Sequence, residues 1–125
     1  MKPIYVLLLA LVPGSLAAAS DNRPVPRPAA QVIGAAQRCI QLSQIRETKI
    51  RDDWTIDFVT GGGQAWRNAL THRCAGLRAD NAITYETSLS QLCNTDIVYV
   101  LRTAPNLQRG AACSLGEFVP VKLAK

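Results

Sequence analysis

The side chains able to do chemistry in this chain are few, and most of them are carboxylates. Asp52 and Asp53 are adjacent and Asp57 follows four residues later. A glycosidase-like or metal-assisted site needs two carboxylates at a set separation facing one pocket. Neighbouring residues of an extended chain point to opposite faces. Aspartates at a tight turn also bond backbone N–H groups. Asp52 and Asp53 are therefore expected to cap a turn. His72 is the one histidine and stands in a polar stretch beside Arg73 and Cys74. A catalytic histidine needs a nucleophile or an orienting carboxylate, which the sequence does not place, so a surface position is expected. Gly61-Gly62-Gly63 lacks the Lys-Ser/Thr of a phosphate loop and reads as a turn. No cofactor and no catalytic residue is expected.

A second constellation is aromatic and basic. Trp54, Trp66, Tyr85 and Tyr99 occur in one chain with Arg67 and Arg102. Aromatic rings with arginines can bind sugar polymers or single-stranded nucleic acid on small β folds. Trp66, Arg67, Tyr99 and Arg102 are the candidate binding residues. Against that stands the shortage of aromatics, which a small core needs inside. The net charge of +5 is mild and the arginines are scattered, a pattern of a solvated surface. Nucleic acid is not an expected partner; an envelope protein or a glycan is.

The cysteines are Cys39, Cys74, Cys93 and Cys113. An even count in a small exported chain reads as disulfides. A Cys₄ zinc site is the rival, but no two cysteines form a C-x-x-C pair, so no metal is expected. Three pairings are open. The expected one is Cys74–Cys93 closing a short loop and Cys39–Cys113 tying the ends.

Export is read from the amino terminus. Lys2 is followed by the apolar run IYVLLLALV, a Pro13-Gly14 break and Ala17-Ala18-Ala19. This is the layout of a cleaved signal peptide, too short to span a bilayer. Residues 1–19 form the signal, residues 20–37 a Pro/Ala-rich leader outside the fold, and residues 38–123 one β domain. No second apolar run is long enough for a membrane span. The location expected is the periplasm or the medium.

The elements that position these groups are short strands. Residues 54–59 alternate Ile56 and Phe58 with Thr55 and Asp57, the period of a strand with one buried face. Residues 45–51 and 64–68 flank them, making a three-stranded meander. Residues 82–87 alternate again. Residues 97–101, IVYVL, are continuously apolar and are expected to be the most buried strand. Residues 29–37 and 88–93 read as short helical turns and residues 104–112 as a loop. A last strand lies within residues 113–123, at a sheet edge because of Pro120. The sum is all-β: a small antiparallel barrel or sandwich of five to seven strands with two disulfides. A partly open barrel of the OB or SH3 kind fits the length.

The motif series is distinctive. C-I at Cys39 is followed by I-R-x-T-x-I-x-D-D-x-T-I-x-F, then G-G-x-x-W-R-N-x-L, C-x-G-L, Y-x-T-S-L-S-Q-L-C-x-x-D-I-x-x-V-L and C-x-L-G-x-F-x-P. This series, from Cys39 through Pro120, resembles a family of small exported proteobacterial proteins classed as a domain of unknown function. The resemblance implies an envelope protein of Gram-negative bacteria and brings no activity with it. The sequence thus points to a binding or structural module of the cell envelope. Two alternatives remain: a polyanion or glycan binder using the aromatic–arginine face, and a small hydrolase using Asp52, Asp53 and His72.

Overall fold

The computed structural model describes residues 23–125; the expected signal, residues 1–19, and residues 20–22 of the expected leader lie outside the described residues. The chain folds as antiparallel β-sheet throughout. The expected meander is present. Strands β1 (Ala30–Val32), β2 (Cys39–Gln41) and β3 (Glu47–Ile50) precede β4 (Thr55–Gly61) and β5 (Gln64–Ala69). After a one-turn helix α1 (Leu77–Asp80) come β6 (Ile83–Tyr85), β7 (Gln91–Cys93), β8 (Ile97–Arg102), β9 (Gln108–Ser114) and β10 (Phe118–Leu123). They form a five-stranded sheet β1-β10-β5-β4-β3, a pair β2-β7 and a three-stranded sheet β6-β8-β9. The sheets do not close on themselves, so the architecture is a sandwich and not an OB- or SH3-like barrel. The described residues hold ten strands, more than the expected five to seven. The excess is β1, β2 and β7, three residues each and too short to show a period of two, and β9, most of which lies in the stretch expected to be a loop.

The register explains the core. It sets Ile50 against Ile56, Phe58 against Trp66, and Phe118 against Asn68, all on one face of the large sheet. That face packs on Val98 and Val100 of β8, Ile40 and Leu92 of the β2–β7 pair, and Leu77 of α1. Phe58 and Phe118 meet edge to face at 5.7 Å between ring centres. The most buried strand is β4 and not residues 97–101, because Ile97 lies on the outer face of its sheet and is 38 % exposed.

Several other expectations are corrected. Residues 29–37 are not helical: Ala30–Val32 pair with β10, and Gln37 bridges to Phe118. Val32 and Ile33 are exposed, so backbone pairing rather than side-chain burial decides this stretch. Residues 88–93 end in β7 because Leu92 is buried and Cys93 faces Cys39 across the β2–β7 register. Residues 108–112 belong to β9, with a bulge opposite Val100, where Gly110 lets the chains close up. Pro120 is interior, between β1 and β5. Its carbonyl accepts the Ile33 N–H, so its nitrogen faces that same side, at the end of β1; the reciprocal bond to Ile33 is forgone and the β5 side is untouched. The described part of the leader is not outside the fold. The Pro28 carbonyl accepts a 2.9 Å hydrogen bond from Arg67 Nη2, and the Ala124 N–H donates to Ala29 O.

The disulfides pair as Cys39–Cys93 and Cys74–Cys113, not as Cys74–Cys93 and Cys39–Cys113. Strand register overrides loop length here. Cys39 and Cys93 are direct cross-strand partners. Cys74 is fully buried in the core cluster, against β9. No helix among the described residues is long and apolar enough to cross a membrane.

Candidate functional site

The β3–β4 turn carries the expected carboxylates, and each is already engaged. Asp52 Oδ1 accepts the Trp54 N–H at 2.7 Å, closing an Asx turn. Asp53 reaches away from its own turn. Its Oδ1 accepts the Arg78 N–H at 2.8 Å, its Oδ2 pairs with Arg73 at 2.7 Å, and its carbonyl accepts the Cys74 N–H. Asp57 is fully buried on the outer face of the large sheet. It takes Arg67 through both oxygens at 2.8 and 2.9 Å, and Arg51 Nε at 2.7 Å. A fork-on-fork pair of this kind binds strongly and leaves the carboxylate few open lone pairs. His72 is exposed in the loop after β5 and bonds none of these aspartates among the described residues. No group of three or more metal-ligating side chains comes together among the described residues.

The four candidate binding residues are not brought together. Trp66 and Arg67 are adjacent on β5 and so face opposite sides of the sheet. Trp66 packs against the core cluster, and Arg67 is committed to Asp57 and Pro28. The arginine beside Trp66 is Arg46, across a small polar cleft that Gln64 and Thr60 also line. Tyr99 lies on β8 in the other sheet, and the guanidinium over its ring is that of Arg109, at 4.3 Å. Arg102 is exposed at the end of β8, and among the described residues it makes no cation–π contact with Tyr99.

Arginines do converge, at Trp54. The Arg23 guanidinium lies over the indole at 4.4 Å, and its Nη2 reaches Thr71 O. Arg73 and Arg78 line the cleft beside the same ring, together with Pro24, Asp52 and Asp53; its volume is about 610 Å³. Arg78 is shared with a second depression of about 330 Å³ along β3, lined by Thr48, Lys49, Arg51 and Asn81. The Arg78 side chain makes no hydrogen bond or ion pair among the described residues. Asp52 also keeps one oxygen without a hydrogen bond there. Trp54 is held from both sides, its N–H by Asp52 and its carbonyl by the Leu70 N–H at 2.8 Å.

Sequence reading missed this site for a definite reason. Residues 23, 54, 73 and 78 belong to the leader, the β3–β4 turn, the loop leading into α1 and α1 itself. The Asp53 contacts to Cys74, Arg73 and Arg78, with the Leu70 N–H on the Trp54 carbonyl, bring turn and loop together. Compared with known protein families, with curated proteins and with solved structures, the chain finds no match in any of the three.

Proposed function

We propose that the protein is an exported, non-catalytic binding module of a bacterial cell envelope. One observation carries the reading. The carboxylates that hydrolytic chemistry would use are spent on holding a turn, a loop and two arginines, while the Arg78 guanidinium and one Asp52 oxygen stay open beside Trp54, as on a recognition surface. Two disulfides fit an oxidising compartment, and the signal-like amino terminus and the family resemblance fit export.

Expression of the full chain in a Gram-negative host tests both halves. The expected product is periplasmic, starts at Ser20 and has no alkylatable thiol. It is expected to sediment with at least one isolated envelope fraction, sacculi or outer membrane. Cytoplasmic recovery with free thiols refutes export. Failure to sediment with every fraction refutes the binding role.

A further inference from the structure

The geometry points to the Trp54 cleft as a site for an acidic saccharide, a sugar ring carrying a carboxylate. The inference rests on the binding-module reading and narrows it to one surface and one ligand chemistry. Three guanidiniums gather around a single half-buried indole: Arg23 over the ring, with Arg73 and Arg78 on the cleft wall. A planar guanidinium is the side chain best matched to a carboxylate, which it can bind through two parallel N–H donors. Arg78 has no other partner among the described residues and therefore keeps its full donor set for a ligand. Arg23 covers one face of the indole; the part of the ring that lines the cleft supplies apolar surface against which a sugar ring packs. Concave sites of this kind combine apolar surface with a few placed polar groups.

The two aspartates decide between anionic ligands. Asp52 and Asp53 line the same cleft, and the open Asp52 oxygen is an acceptor for a sugar hydroxyl. A chain of phosphates would meet these carboxylates at every repeat and be repelled. A uronate also carries a charge on each unit, but each of its rings has hydroxyls as well, so one unit can put its carboxylate on Arg78 and its hydroxyls on Asp52. The depression along β3 shares Arg78 with the cleft and offers Thr48, Asn81 and the Glu47–Lys49 pair to a neighbouring sugar unit.

The test uses the full mature protein and two probes of equal length, tri-galacturonate and neutral maltotriose, followed by the indole N–H signal of Trp54 in NMR titrations. Trp66 serves as the internal control. A saturable shift of Trp54 with tri-galacturonate is expected, with an affinity at least about tenfold above that for maltotriose and weakened by added salt. Arg78→Ala removes a side chain that bonds nothing in the fold, so it is expected to stay folded and lose about tenfold in affinity. An unmoved Trp54 signal, an equal response to maltotriose or an unchanged affinity in Arg78→Ala each overturns the assignment. Sedimentation with envelope fractions without a tri-galacturonate response overturns this inference alone and leaves the binding-module reading standing.

Discussion

Asp57→Asn is expected to be among the most damaging single substitutions in the chain. The Asp57 side chain is 0 % exposed, and the arginines on it are 16 % and 13 % exposed. The amide keeps the shape but loses the charge and one acceptor, leaving two guanidiniums packed together without a counter-ion. Removing one partner of a buried ion pair costs roughly 3–5 kcal/mol. The arginines keep some solvent, so the lower end, about 3 kcal/mol, applies here. With an unfolding entropy near 2.1 cal/mol/K per residue, a domain of roughly 100 residues loses about 14 °C in melting temperature. The assay is thermal unfolding by circular dichroism at neutral pH without reductant. A control separates charge burial from packing: Arg51→Met, Asp57→Leu and Arg67→Met together remove the whole cluster. That triple variant is expected to lose less than Asp57→Asn alone, because no charge is left stranded. A drop below about 4 °C for Asp57→Asn, or a triple variant as unstable as the single one, refutes the argument.

Other outcomes follow from equally local features. Asn68 is buried and clasps Gly116 twice, its Oδ1 accepting the Gly116 N–H and its Nδ2 donating to the Gly116 carbonyl; Asn68→Ala should cost about 2 kcal/mol in chemical denaturation. Gly116→Ala should also destabilise, since a Cβ there runs into the Ala69 carbonyl oxygen; wild-type stability would contradict this packing. Tryptic digestion without reduction should join residues 39–46 to residues 79–102 and residues 74–78 to residues 110–122; a peptide joining Cys39 to Cys113 would show the pairing to be wrong. Burial raises the Tyr85 phenol above its ordinary value of 10.0. The unfolded chain therefore ionises first, and this tyrosine's contribution to stability is full below pH 10 and lost as pH rises through the folded value. Tyr85→Phe should flatten that alkaline loss, read from melting temperatures between pH 9 and 11.

What the sequence shows of this fold is set by the range of the forces involved. The β3–β4–β5 meander was legible because period-2 burial and turn chemistry are local: Ile56, Phe58, Asp52 and the glycine turn announce themselves. β1, β7 and the first half of β9 were not, because pairing with distant strands makes them β. Val32 is exposed, Leu92 needs Ile40 opposite it, and Gly110 needs the Val100 backbone. Pro120 misled for the same reason, since its cost depends on which neighbour its nitrogen faces. The disulfide pairing depended on register, which spacing does not encode. The candidate site scattered likewise. Trp66 and Arg67 are neighbours in sequence and therefore not neighbours on a face, whereas Arg23, Trp54, Arg73 and Arg78 are far apart in sequence and share a cleft.

The same contacts that hold the two sheets together also shape that cleft. Asp53 ties the β3–β4 turn to the loop before α1 through its carbonyl and Oδ2, and to α1 itself through Oδ1. The loop is tied in turn to β9 by Cys74–Cys113. Trp54 sits between these ties, its backbone bonded on both sides. A ligand arriving there meets a wall that is already ordered, so little conformational entropy remains to be lost on binding. The coupling runs both ways: whatever binds the cleft clamps the loop, and loosening the loop disperses the arginines. Removing the Cys74–Cys113 bridge, worth roughly 4 kcal/mol in the chain-entropy account, should therefore weaken recognition at Trp54 as well as stability. Removing Cys39–Cys93, on the other side of the core, should lower stability by a similar amount and leave recognition by the folded protein unchanged.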